Sequence, residues 1–235
     1  QYKEKGGYEC GMDDRTIAND NMDEGRFYQF LRDSFANARD ALKRGGSFYV
    51  FHSDSHGGTF RNAAEDEGLI IKQCLIWKKN TLVLGRQDYQ WIHEPCLYGW
   101  KDGAGHYFIN DRGFTTVIEL DKEDLTKKSK PELIKIIKEL QVPEQATSII
   151  EEDKPAKNPL HPTMKPIRLI GRLIANSSKP NETVLDTFGG SGSTLIASEQ
   201  LGRVCYTMEL DPKYVDVIVD RWEKLTGQKA IKEEE

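Results

Sequence analysis

Apolar positions near the start of the chain recur at helical spacing and then stop. Phe27, Phe30, Leu31, Phe35, Ala38 and Leu42 follow this spacing, and Gly45-Gly46 ends the run, which predicts an amphipathic helix. Residues 47–51, Ser-Phe-Tyr-Val-Phe, form a short aromatic and β-branched run that reads as a buried strand. The polar cluster His52-Ser53-Asp54-Ser55-His56 follows it. A weaker helical pattern at residues 60–64 leads into a second apolar run at 69–77, read as another strand. Helix alternating with strand predicts an α/β fold with mostly parallel strands.

The period breaks in the middle of the chain. Between residues 79 and 158 it survives only in strand-like runs at 95–100 and 115–120 and in an amphipathic helix at 131–140. Aromatic and basic side chains crowd the start of this stretch: Lys78, Lys79, Arg86, Tyr89, Trp91, His93, Tyr98, Trp100 and Lys101. The stretch reads as an insertion on the α/β core, and insertions of this kind often carry recognition. From Pro166 the alternation returns. Ile167, Ile170, Leu173 and Ile174 make one helical face, residues 183–186 a strand, and 203–208 another. The glycine-rich 188–193 lies between those two strands and opens a helix. Tyr214, Val215, Val217, Ile218, Trp222 and Leu225 pattern a final helix closed by Gly227. Three segments result: 1–78, 79–158 and 159–235.

Composition narrows the class. Of 235 residues, 37% are hydrophobic and 30% charged, enough apolar material for a core, and this excludes global disorder. No run approaches the ~18–20 apolar residues of a membrane span, and Gln1-Tyr2-Lys3-Glu4-Lys5 offers no apolar core to a signal peptide. A soluble, cytoplasmic protein with no membrane partner is expected. The net charge of −5 argues against a wholly nucleic-acid-binding surface but leaves room for a local basic face. Cys10, Cys74, Cys96 and Cys205 stand far apart with no C-x-x-C pair, so neither a disulfide framework nor a metal site is expected.

Three segments carry chemistry. Asp186-Thr187-Phe188-Gly189-Gly190-Ser191-Gly192-Ser193-Thr194 joins a strand to a helix. Glycines there allow a tight turn and let a ligand lie close to the backbone, although strand-to-helix turns are often glycine-rich without binding anything. The dinucleotide pattern G-x-G-x-x-G lacks its third glycine here, and no lysine follows to make a phosphate-binding Walker loop. Glu209 ends the next strand, where an acid can accept both hydroxyls of a ribose or simply sit near the next helix N-terminus. His161-Pro162-Thr163-Met164-Lys165-Pro166 precedes a helix. Pro and Thr suit an ordinary helix start, which leaves His161 and Lys165 unexplained. Loop and acid together point to an adenosine-type ligand.

In this order the three segments resemble the permuted β type of amino-methylating DNA methyltransferase, which uses S-adenosylmethionine. The stretch Leu84-Gly85-Arg86-Gln87-Asp88-Tyr89-Gln90-Trp91, continued by His93-Glu94-Pro95-Cys96-Leu97-Tyr98-Gly99-Trp100, is similar to phage and prophage members. The resemblance implies a doubly wound, mostly parallel Rossmann-like sheet with one reversed strand and the middle insertion as target-recognition region. It implies cofactor contacts at His161, Thr163, Lys165, Asp186, Phe188, Gly189, Gly190, Ser191, Gly192, Ser193 and Glu209. For double-stranded DNA the candidates are Lys79, Arg86, Trp91, Lys101 and Arg112. The implied reaction is methyl transfer to an exocyclic amine of a flipped base, adenine N6 ahead of cytosine N4, in a bacterial cell or phage-infected host. It needs no metal, and a homodimer is compatible with it.

One departure sets a further expectation. The family's catalytic tetrapeptide, Asp/Asn/Ser-Pro-Pro followed by an aromatic residue, is absent, since no two of the nine prolines are adjacent. In the permuted order it and the third cofactor-side strand belong upstream of Gln1. The strand bearing it would sit centrally beside residues 183–186, so a chain beginning at Gln1 is expected not to fold stably alone. If catalysis lies within these residues, His52, Ser53 and Asp54 are the first candidates. Two other classes compete: a non-catalytic module that binds nucleic acid or cofactor, and, more weakly, a nicotinamide-dependent oxidoreductase.

Overall fold

The computed structural model describes residues 22–83, 88–111, 113–118 and 164–233. Helix α1 (Glu24–Ala41) starts at Asp23, whose side chain accepts a hydrogen bond from Arg26 N–H at 2.9 Å. An N-terminal cap of this kind satisfies one of the amides a helix start leaves unpaired. After α1 come strand β1 (Ser47–Phe51), helix α2 (Gly57–Asp66), the long strand β2 (Ile70–Val83) and β3 (Trp91–Trp100). A short strand β4 (Val117–Ile118) follows. Beyond it lie α3 (Ile167–Ser177), β5 (Thr183–Asp186), α4 (Ser193–Gln200), β6 (Val204–Thr207) and α5 (Pro212–Thr226).

The strands form two sheets. The first has the order β1-β3-β2-β4, with β3 antiparallel to both β1 and β2 and β4 parallel to β2. The second is the parallel pair β5-β6, in register from Thr183 opposite Val204 to Asp186 opposite Thr207. The fold is α/β as expected, and β3 is the one strand of the larger sheet reversed against the other three, which run parallel to one another. The reason is local: β2 and β3 are sequential strands joined by a short connection, and only an antiparallel pair can be closed that way. The boundary drawn at residue 79 therefore falls inside β2. Residues 95–100, assigned to the insertion, occupy the middle of the core sheet. Among the described residues β1 pairs only with β3 and β5 only with β6, so each is an edge of its sheet. The helix expected at 131–140 lies outside the described residues.

The first sheet is covered on both faces, which explains why β1 reads as a continuous rather than alternating apolar run. Phe48, Val50 and Ile71 pack with Leu31 and Phe35 of α1 and with Ala63 and Ala64 of α2. Tyr49, Phe51, Leu75 and Trp77 face the other way and pack with Leu169 and Leu173 of α3. Gly99 is required where strands meet, since a Cβ there would stand 2.1 Å from the Ile70 carbonyl oxygen. Helix α3 also touches α4: its Gly171 would place a Cβ 3.7 Å from Leu201 and 3.9 Å from Ala197. Among the described residues no helix is long and apolar enough to cross a membrane.

Candidate functional site at the glycine loop

The loop from β5 to α4 is fixed from three directions. Phe188 N–H donates to Asp186 Oδ1 at 3.0 Å, and Gly189 N–H donates to the Met208 carbonyl at 2.7 Å. Gly190 N–H donates to Glu209 Oε2 at 2.7 Å, while Glu209 Oε1 accepts from Asp211 N–H at 2.9 Å. Glu209 thereby ties the turn after β5 to the turn after β6. Gly190 and Gly192 have φ of +53° and +77°, a region costly for residues with a Cβ. Gly189 is needed for space, because a Cβ there would lie 2.5 Å from Thr207 Oγ1.

The far side of the loop is held by the segment just before α3 and by α5. Ser193, the first residue of α4, donates its hydroxyl to the Lys165 carbonyl at 2.7 Å, and Ser191 Oγ lies 3.4 Å from Ser193 Oγ. The Ser191 carbonyl accepts from the Arg221 guanidinium of α5, whose partial burial lowers its pKa. Phe188 projects outward at 62% exposure, its ring edge-on to Phe30 of α1 with centroids 5.9 Å apart. Of the residues proposed for this site, Asp186, Phe188, Gly189, Gly190, Ser191, Gly192, Ser193, Glu209 and the Lys165 backbone are together. His161 and Thr163 lie outside the described residues.

The Lys165 side chain goes elsewhere. Its ammonium lies 2.7 Å from Glu94 Oε1 on β3 and 5.3 Å from the centre of the Phe51 ring. Glu94 Oε2 lies 3.1 Å from the Lys79 ammonium of β2. Burial pushes the Glu94 carboxyl upward, but the Lys165 and Lys79 ammoniums together outweigh it and hold it below its ordinary range. Sequence reading missed Glu94. The available signal was a lone acid on a strand face shared, at every second position, with Cys96 and Tyr98.

The residues proposed for DNA separate. Lys79 is engaged with Glu94 rather than presented to solvent. Lys101 donates to the Arg39 and Leu42 carbonyls at 2.6 and 2.8 Å, closing the C-terminus of α1, where a cation opposes the helix dipole. In the structure both have internal partners. Trp91 opens β3, partly exposed and edge-on to His93. Arg86 and Arg112 lie outside the described residues. The alternative catalytic group does not assemble either. His52 is buried, stacks on Phe60 and sets Nδ1 2.9 Å from the Ser53 carbonyl. Ser53 and Asp54 are exposed, and among the described residues no hydroxyl or carboxylate bonds the His52 ring.

A family model described as DNA methylase matches residues 7–220. The chain belongs to that family of N6/N4 amino-methyltransferases. A 71-residue stretch is 44% identical to the type II methyltransferase M.HinfI of Haemophilus influenzae, covering 30% of this chain and 19% of that protein. A 58-residue stretch is 38% identical to the type II methyltransferase M.BglII of Bacillus subtilis, covering 25% of this chain and 16% of that one. The matched stretches thus span less than a fifth of either relative. In fold, the chain is similar to the structure of M1.HpyAVI in complex with SAM. The TM-score is 0.61 at 22% identity, over 84% of each chain. It is also similar to the cytosine-N4-specific PvuII DNA methyltransferase, with TM-score 0.60 at 16% identity over 88% of this chain and 74% of that one. The Rossmann-like α/β architecture is common to all three.

Proposed function

We propose that this chain binds S-adenosylmethionine at the glycine loop and transfers its methyl group to an exocyclic amine of a base in a sequence-specific site of double-stranded DNA. The observation that carries this reading is the 2.7 Å bond from Gly190 N–H to Glu209 Oε2. It brings the glycine turn and the carboxylate beyond β6 to one place.

The groups present fit such a ligand by their chemistry. Glu209 offers a carboxylate to a pair of ribose hydroxyls, and Asp186 offers a second to an ammonium group. The start of α4 has no side-chain cap, so its backbone amides suit a ligand carboxylate. When bound, the cofactor supplies an electrophilic sulfonium methyl group. The chain's own work is to hold the loop in shape through Glu209, Ser193 and Arg221 and to offer the exposed Phe188 ring to a flat group. The target base must leave the helical stack to reach the methyl group. Trp91, Arg86 and Arg112 remain the proposed DNA contacts.

The test is incubation with duplex DNA and isotopically labelled cofactor, followed by mass spectrometry of the nucleosides. N6-methyladenine is the expected product. N4-methylcytosine would change the base, and cofactor binding with no transfer would reduce the chain to a binding module. Glu209→Ala should weaken binding of S-adenosylhomocysteine by about 1–3 kcal/mol, through lost charge-assisted hydrogen bonds. Calorimetric titration measures it, and unchanged affinity would leave Glu209 a purely structural carboxylate.

A further inference from the structure

We propose that Glu94 is a positioning residue for the cofactor site, acting through Lys165 on the first turn of α4. The inference rests on the function proposed above. Glu94 lies in the core sheet, away from the glycine loop in sequence, yet a short chain of contacts joins them. Its Oε1 is 2.7 Å from Lys165 Nζ, the Lys165 carbonyl accepts the Ser193 hydroxyl at 2.7 Å, and Ser193 follows Gly192 directly.

Three features suit this cluster to fixing a position. It is sheltered: the side chains of Glu94, Lys165 and Lys79 are 17%, 24% and 17% exposed, so the charges are screened less than a surface pair. It is anchored on separate elements, with Glu94 on β3, Lys79 on β2 and Lys165 just before α3. Finally, the Lys165 ammonium also lies over Phe51 of β1, which adds a cation–π contact. A free lysine samples many rotamers; here one carboxylate and one ring restrict it, and its backbone carbonyl inherits the restraint. The carboxylate must be charged, which glutamine is not, and long enough to reach, which aspartate, one methylene shorter, meets only in part.

The experiment is calorimetric titration of S-adenosylhomocysteine into the full chain, well below its melting temperature. It compares wild type, Glu94→Gln, Glu94→Asp, Lys165→Met, the Glu94→Gln/Lys165→Met pair and Lys79→Met. Glu94→Gln should weaken binding about tenfold, and the paired variant should bind no worse than Lys165→Met alone, because coupled residues are non-additive. Glu94→Asp should recover part of the loss. Lys79→Met shares the carboxylate but lies off the path to α4 and should change Kd less than about twofold. A merely structural ion pair would lower the melting temperature and leave Kd unchanged, which overturns the proposal while the cofactor reading stands. Additive losses in the paired variant overturn it too, since Glu94 would then act by another route. Should Glu94→Gln not fold, Glu94→Asp decides, and wild-type affinity in it overturns the proposal. A wild-type chain that binds no S-adenosylhomocysteine overturns both readings at once.

Discussion

The four-stranded sheet and the β5-β6 pair are made of similar residues but packed to different depths. The first is covered by α1 and α2 on one face and α3 on the other, and Trp77 and Leu97 are each 2% exposed. Among the described residues, the second is covered on one face only. Its residues alternate between half-buried and exposed, with Leu185 at 44% and Tyr206 at 63% exposure on the open side. On the covered side burial pushes the Cys205 thiol up to about 11. Stability is thus concentrated in the first sheet, while the glycine loop and Glu209 stand at the strand ends of the thinner one. Binding elements are commonly drawn from the less stable parts of a molecule.

Substitutions can break or sharpen that contrast. Leu97→Ala, in the middle of the first sheet, should cost about 2–5 kcal/mol by leaving a cavity, read from urea unfolding. A cost below about 1 kcal/mol would mean the sheet is not the stable part. Lys101→Met removes two bonds to the end of α1 and should cost about 1–2 kcal/mol. It should leave the salt dependence of DNA binding unchanged in gel-shift titrations, whereas a phosphate contact would flatten the slope by about one unit.

Acid tests the joint between the two regions. The Glu94 carboxyl is held below its ordinary range in the folded chain. Its contribution to stability is therefore complete above about pH 4.3, the ordinary glutamate value, and is lost as pH falls through the depressed folded value. Thermal melts of wild type and Glu94→Gln should differ most near neutrality and converge in acid; a gap constant across pH would deny the ion pair that role. The smallest effect is expected on the open face of the second sheet. Leu185→Ser should change stability by no more than about 0.5 kcal/mol, and a larger loss in the same urea assay would show that this face is covered in solution.

Local signals in the sequence were enough for α1, with its 3–4 spacing, for the β5 strand and its glycine turn, and for the placing of Glu209 after β6. Each depends on neighbours within a few positions. Which strand is reversed was not legible, because the antiparallel pairing of β2 with β3 joins residues as far apart in the chain as Ile70 and Trp100. Nor were the destinations of Lys79, Lys101 and Lys165. A lysine in sequence displays its charge and its reach, but its partner is chosen by the fold. Glu94 meets Lys165 across a long stretch of chain, and the Arg39 and Leu42 carbonyls become acceptors only once α1 ends where it does.

Helix α3 gives the molecule its cooperativity. Leu169 and Leu173 complete the core of the first sheet, while Gly171 faces Ala197 of α4, the helix of the second. Tyr49 of β1 also reaches the end of α3, its hydroxyl 2.7 Å from Ser177 Oγ. The helix cannot finish burying itself until strands from early in the chain and a helix from late in it are both in place. Loop-closure entropy is therefore met before the last contacts reward it. Through this one helix the glycine loop, bonded by Ser193 to Lys165 just before it, is tied to the core of the first sheet.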